Sequence, residues 1–299
     1  MIPRGDVCKY PGREVGTRAQ HGFTVVELMV AMTIALFLMG GLVAMVMHTR
    51  STSNAQQQLA QLRENERVAM TVLTSVIQQA GYYPDPISYN DGVFAQRTLA
   101  GGLAFGAEQS LSGLNGASAG GDTVGVRFAT PLADAAQILP DNVISCAGTS
   151  SQDTANIHVY SNVFQVGIGA DGTRYLQCVL YDDLAGGAVG AAHPAVDLVP
   201  GVDRMEVMYG VGIAGADATG ANSVTQYCGA TDLDAGGVAG AICQGNWTNV
   251  VAVRVRLYFE LPQYGFGGGQ IDSSATSQAE AQQHQYVERV IPIMNRSGG

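Results

Sequence analysis

Lysine is nearly absent from this 299-residue chain: Lys9 is the only one. Charge of either sign is scarce, at 13% of residues, and acidic residues outnumber basic ones by 25 to 15. Such a chain makes a poor phosphate-neutralising surface, which excludes nucleic-acid binding through a broad basic face. Gly is plentiful at 39 residues but follows no three-residue period, so collagen is excluded. An apolar fraction of 46% excludes a disordered polymer of the high-charge type. Catalytic signatures are missing as well: no HExxH, no GxSxG and no GxxxxGK[ST] occurs. The five histidines are His21, His48, His158, His193 and His284, and none sits at ligand spacing beside a cysteine; no CxxC pair occurs. Asp182-Asp183 and Asp232-x-Asp234 do not complete a twelve-residue calcium pattern and read as solvated loop charges. His158 reads as a satisfied or exposed strand residue. The expectation is no cofactor, no metal site and no enzymatic constellation.

The charge that is present is unevenly placed. Residues 1–22 carry Arg4, Lys9, Arg13 and Arg18 against Asp6 and Glu14, a net of +2. Residues 23–299 carry 11 basic residues, all Arg, against 23 acidic ones, a net of −12. Between leader and body lies the run FTVVELMVAMTIALFLMGGLVAMVM, Phe23 to Met47, whose only charge is Glu27. Its 20 uncharged residues from Leu28 span about 30 Å as a helix, the thickness of a hydrocarbon core. The basic flank precedes the run, so the positive-inside rule puts residues 1–22 in the cytoplasm and everything after Arg50 outside. The run is followed by His48-Thr49-Arg50-Ser51, a poor secretory cleavage site, which favours a retained anchor.

Glu27 has two readings. A carboxylate in a first helical turn is favoured by the helix dipole at the membrane interface. A carboxylate entering a membrane also needs a partner, which an amino terminus on a neighbouring subunit would supply. The stretch Gly22-Phe23-Thr24-Val25-Val26-Glu27-Leu28 resembles the class III signal of type IV prepilins and related pseudopilins. That resemblance implies cleavage after Gly22 by a prepilin peptidase and N-methylation of Phe23. It also implies that Glu27, fifth in the mature chain, sets register against the amine of an adjacent subunit.

Past the membrane, Leu59, Leu62, Ala69, Leu73, Val76 and Ala80 recur at three- and four-residue steps, with Glu66 in the one polar slot. This predicts an amphipathic helix that docks on the protein's own sheet. Gly81 and Pro84 end it. An unbroken helix from Phe23 to Ala80 would be about 87 Å long. Gly40-Gly41 would either weaken it midway or allow close packing against another helix. Short strands are expected at 123–129, 156–160, 163–168, 174–181, 205–211, 250–260 and 286–294. Val250–Phe259 alternates most clearly, with Val251, Val253, Val255 and Leu257 on one face and Arg254 and Arg256 on the other. Residues 169–172 read as a hairpin turn. Gly/Ala/Ser-rich stretches at 100–121, 185–192, 212–222, 235–241 and 265–269 read as flexible loops. Tyr82, Tyr83 and Tyr89 read as core or rim packing. The fold expected is α+β, a long N-terminal helix packed on a mainly antiparallel β-sheet.

Leu198-Val199-Pro200-Gly201-Val202-Asp203-Arg204-Met205-Glu206-Val207-Met208-Tyr209-Gly210 resembles a segment of PilW-type minor pilins. Asn246-Trp247 leading into Val250–Leu257, the Gln79–Tyr83 helix end and the Val290–Arg296 strand are similar to the same family. A type IV pilin-like fold is implied. So are three regions: 1–22, a leader peptide that is removed; 23–50, the transmembrane and bundle part of the helix; and 51–299, a periplasmic α+β domain. The implied function is a minor pilin that primes or joins type IV pilus assembly near the tip, supporting adhesion, twitching motility or DNA uptake. Its partners would be other minor and major pilins, the prepilin peptidase, the assembly platform and a tip adhesin. It would sit in the inner membrane as a single-pass protein and then join the pilus at the cell surface. The alternatives are a J-class pseudopilin of type II secretion and a membrane-anchored periplasmic enzyme or adhesin.

Of the five cysteines, Cys8 falls in the leader. Cys146, Cys178, Cys228 and Cys243 remain on the exported side, an oxidising compartment. Four cysteines allow three connectivities. The pairing Cys146–Cys178 with Cys228–Cys243 is preferred, because the second pair brackets a Gly-rich loop with little core-forming power. Metal binding by these cysteines is the weaker alternative.

Overall fold

The computed structural model describes residues 22, 24–84, 92–118, 120–130, 143–151, 153–185, 192–212, 223–234, 243, 247–260 and 284–294. Cys8, Phe23, Tyr89 and most of the loops expected at 185–192, 212–222, 235–241 and 265–269 lie outside them. The chain divides into two compact units, Met1–Asn54 and Ala55–Gly299.

One helix, α1 (Val25–Ile77), contributes to both units. It begins where Thr24 accepts the Glu27 backbone N–H on its hydroxyl at 3.3 Å. That bond satisfies one of the orphan donors of the first turn. The helix runs unbroken through Gly40-Gly41. Turn-like bonds follow from Gln79, Ala80 and Tyr82 to the carbonyls three residues back. Gly81 adopts φ 76°, which ends the helix in the left-handed region that glycine tolerates.

Within the second unit, α1 lays one stripe on a sheet. Leu62, Ala69, Leu73, Val76 and Ala80 of the expected stripe are buried, joined by Ala55, Met70 and Ile77. Leu59 and Glu66 are half-buried. One Glu66 carboxylate oxygen is shielded from solvent without a hydrogen-bond partner among the described residues, and burial raises its pKa, partly offset by Arg63.

The strands are β1 (Arg97–Thr98), β2 (Ala104–Phe105), β3 (Leu111–Ser118), β4 (Gly121–Ala129), β5 (His158–Ile168), β6 (Arg174–Leu184), β7 (Val196–Pro200), β8 (Val202–Val211), β9 (Gln226–Cys228), β10 (Val250–Glu260) and β11 (His284–Pro292). A four-residue helix, α2 (Ala230–Leu233), follows β9. Strands β1 and β2 form a small ribbon; the main sheet runs β11-β10-β8-β4-β5-β6-β7, with β3 on β4 and β9 on β8. All pairings are antiparallel except β4 with β8, which meet in parallel at Gly121 and Met205. The α+β fold with a mainly antiparallel sheet is thus the observed one.

Strand periodicity sorts residues to two faces. The face toward α1 carries Val124, Val126, Phe128, Phe164, Leu176, Val207, Tyr209, Val253, Val255 and Leu257, all in one core cluster. The outer face carries residues of opposite parity. Over β4–β6 it is roofed by residues 92–109, whose Phe94, Leu99, Leu103 and Phe105 pack with Val159, Val163 and Tyr181. Tyr82 packs on the main core and Tyr83 on the roof cluster.

Four expectations change. Residues 156–160 and 163–168 are not separate strands, because Ser161 and Asn162 continue the β5 ladder with β4 and β6. The expected loop 100–121 contains β2 and β3. Strand β3 is poor in β-formers because small residues are required there: a Cβ on Gly113 would lie 2.0 Å from the Tyr209 hydroxyl. The short strands β7 and β9 carry no alternation of their own and are fixed by pairing on β6 and β8. Asp182-Asp183 lies in β6 rather than a loop. The 169–172 turn forms as expected, with Gly169 and Thr173 bonded and Gly172 at φ 80°.

Candidate assembly interface

Among the described residues, nothing in its own unit covers the apolar part of α1. Every residue from Thr24 to Asn54 is exposed, among them Phe37 at 88%, Val25 at 76% and Leu36 at 73%. A soluble surface does not leave a contiguous apolar area of this kind bare. Its polar groups are arranged for an apolar surrounding. Thr33, Thr49 and Thr52 donate their hydroxyls to Val30, Met45 and His48 carbonyls at 2.8, 2.9 and 3.0 Å. Each hydroxyl is satisfied on its own helix, as a low-dielectric medium demands. A Cβ on Gly40 or Gly41 would meet no atom within 4 Å. No described residue therefore requires glycine at either position.

At the head of this helix stand the processing and register candidates. Gly22 is exposed, and Glu27 is exposed in the first turn, with no ion pair among the described residues. Thr24 was not singled out by sequence reasoning, although Thr24-x-x-Glu27 is a capping-box spacing and signals a helix start.

The second unit holds Cys146, Cys178, Cys228 and Cys243 in two bridges. Cys146 is bonded to Cys178 on β6, and Cys228, at the end of β9, to Cys243. Three polar clusters also stand out. His158 sits between two carboxylates, its Nδ1 at 2.5 Å from Asp182 and its Nε2 at 3.2 Å from Asp153. Burial pulls its pKa down, but the two carboxylates outweigh that and raise it. Asp153, which also accepts the Ala155 and Asn156 N–H groups, is held well below the usual carboxylate range. Burial and Asp182 push Tyr160 up to about 12.

Asp183 is buried and ion-paired with Arg97, which corrects its reading as a solvated charge. A sheet face that would meet solvent is here covered by the roof segment. Asp232 accepts the Gly229 N–H at 3.0 Å, and Asp234 accepts the Trp247 indole N–H at 3.1 Å. These carboxylates close local structure instead of standing free. Trp247 is partly buried, edge-on to Tyr209 with ring centroids 4.8 Å apart.

Arg127 is the third cluster and the least expected. It is 2% exposed under the roof, donates Nη1 to the Ala95 carbonyl at 2.9 Å, and lies 5.4 and 5.1 Å from the ring centres of Phe94 and Phe105. Its buried Nε has no hydrogen-bond partner among the described residues. Among the described residues, no group of three or more His, Cys, Asp or Glu side chains has a metal-holding arrangement.

Residues 163–290 match the family described as Type IV Pilus-assembly protein W. Residues 17–43 match the prokaryotic N-terminal methylation motif. Among solved structures, the chain is similar to the type IV-like pilin TTHA1219 from Thermus thermophilus. The identity is 15% and the TM-score 0.36, over 79% of this chain and 97% of that one. No curated protein sequence matches.

Proposed function

We propose that this chain, a PilW-like type IV minor pilin by its two family segments, primes or joins pilus assembly near the filament tip. The observation that carries the reading is a helix bare of covering from Thr24 to Asn54, opened by a prepilin-type signal at Gly22–Glu27. In the inner membrane that surface is covered by lipid, and in a filament by the helices of other subunits. Gly40 and Gly41, which no described residue requires, would let a neighbouring helix approach closely. Cleavage after Gly22 would free an amine on Phe23, and Glu27 of an adjacent subunit would pair with it. A carboxylate surrounded by apolar helices needs such a partner, and the need fixes the axial register.

Under this reading the head unit is periplasmic before assembly and surface-exposed afterwards, where it supports adhesion, twitching motility or DNA uptake. Its contribution is structural, and its partners are other pilins, the prepilin peptidase and the assembly platform. The test is Glu27→Val in the native strain. The head keeps its fold, while piliation and co-purification with other pilins fall. Normal piliation in that variant would remove the register role. Scoring secreted substrates in a deletion strain separates a pilus subunit from a secretion pseudopilin, because only the latter loses export.

A further inference from the structure

The outer face of β4–β6 is a floor of three cross-strand rows: Ala129, Val159 and Asp183; Arg127, Ser161 and Tyr181; Gly125, Val163 and Val179. The roof, residues 92–109, lies on this floor and is closed on itself. Strands β1 and β2 pair with each other across the turn at Ala100–Gly102. The Leu99 N–H donates to the Leu103 carbonyl, and the Glu108 N–H to the Phe94 carbonyl, both at 2.8 Å. The two ends of the roof are tied together, because the Gly92 N–H donates to the Glu108 carboxylate at 2.5 Å. Among the described residues, no backbone hydrogen bond runs from the roof to the main sheet.

Side chains hold the roof down instead. Arg97 of the roof pairs with Asp183 of the floor and lies 5.7 Å from the Tyr181 ring centre. Arg127 of the floor donates to the Ala95 carbonyl of the roof at 2.9 Å, and the Ser112 hydroxyl of β3 donates to the Ala104 carbonyl at 2.5 Å. A Cβ on Gly125 would lie 2.6 Å from Leu103 and 2.7 Å from Phe105, so the apolar seat requires a bare backbone there. Closure leaves polar groups unmet. Arg127 Nε, Ser161 Oγ and one Glu108 carboxylate oxygen are shielded from solvent without a hydrogen-bond partner among the described residues. Glu108 also sits at φ 57°, in the left-handed region that favours glycine. Lifting the roof hydrates all three groups, and the main ladder loses no backbone hydrogen bond.

We propose that residues 92–109 form a strap that lifts from β4–β6 as one unit while the sheet and the docked part of α1 stay folded, with the Arg97–Asp183 pair as its latch. Burial of Phe94, Leu99, Leu103 and Phe105 and the two arginine contacts favour the closed state. The polar groups that closure leaves unmet oppose it. A segment whose anchors are side chains alone opens at a lower free energy than the fold as a whole. Opened, the head presents a second surface, with Val159, Val163 and Val179 around the Arg127 guanidinium. The strap belongs to the head and does not require the filament reading of the helix.

Hydrogen exchange of the full chain in detergent micelles tests it, read by mass spectrometry on peptic peptides over a series of urea concentrations below the unfolding transition. Peptides covering 97–109 are expected to exchange together, faster than those covering 124–128 and 159–166. Their exchange also rises less steeply with urea, as for an opening that bares little surface. Gly125→Ala wedges the seat and Asp183→Asn weakens the latch, and each raises strap exchange by roughly tenfold. Val255→Ala, in the core that faces α1, speeds exchange of β8 and β10 but leaves the strap rate unchanged, because lifting the strap does not break that core. Near-UV circular dichroism checks that each variant is folded, and the wild-type urea series decides the matter where one is not. A strap that exchanges at the rate and urea dependence of β4–β6 overturns the proposal. So does a strap rate that rises in step with the core in Val255→Ala, or one indifferent to Gly125→Ala or Asp183→Asn.

Discussion

Replacing Arg127 by methionine separates the shape of a buried side chain from its charge. Burial and the nearby Arg97 push the Arg127 pKa down to about 10 from 12.5, against a smaller opposing pull from Glu108. That difference corresponds to about 3 kcal/mol against the charged form in the folded state. Its bond to the Ala95 carbonyl partly offsets this, and leaving that carbonyl unpaired costs about 1–2 kcal/mol. Methionine keeps an unbranched apolar chain between Phe94 and Phe105. Arg127→Met is therefore expected to stabilise the head by about 1–2 kcal/mol, in line with apolar replacement of buried ions elsewhere. Arg127→Ala removes the packing as well and is expected to destabilise by about 3 kcal/mol. Trp247, the only tryptophan, packs against buried Tyr209 and reports head unfolding in urea by its emission. A loss of more than about 2 kcal/mol in Arg127→Met would refute the reasoning. It would mean that the guanidinium's contacts to the aromatic rings and the carbonyl outweigh its desolvation.

Two further outcomes are expected. The bridges close loops separated by 15 and 32 residues. On chain entropy, Cys228→Ala with Cys243→Ala lowers stability by about 3 kcal/mol and Cys146→Ala with Cys178→Ala by about 4 kcal/mol, measured by urea melts; equal stability of wild type and variants would contradict this. The raised pKa of His158 means that its clamp contributes fully below its unfolded value, near 6.5, and fades as pH rises through the higher folded value. Asp153, with its lowered pKa, adds stability above its unfolded value and loses it in acid. Urea midpoints of wild type and His158→Gln should differ most below about pH 6.5 and draw together as pH rises above it. A gap independent of pH would contradict the clamp.

What local sequence dictates was legible. The apolar run, the place of Glu27, the amphipathic stripe and the β10 alternation each follow from composition and periodicity within a short window. The parts that were not legible depend on partners distant in sequence. Strand β3 looks like a loop because Gly113 answers to Tyr209, which comes far later in the chain. Arg127 and Asp183 sit at positions whose parity points outward, and they are buried because residues 92–109 return over that face. The Arg254 and Arg256 alternation was visible. The glutamates and tyrosines beside those arginines arrive only with the register of β8 and β11. At the head of α1, Thr24 caps Glu27 through a spacing that the sequence carried and that was not singled out there.

The most direct test of the central claim is the N-terminal residue and mass of the protein isolated from native membranes. The account predicts a chain that begins with N-methylated Phe23. A chain that still begins at Met1, in cells with an active prepilin peptidase, would contradict it and would leave Glu27 without its proposed partner.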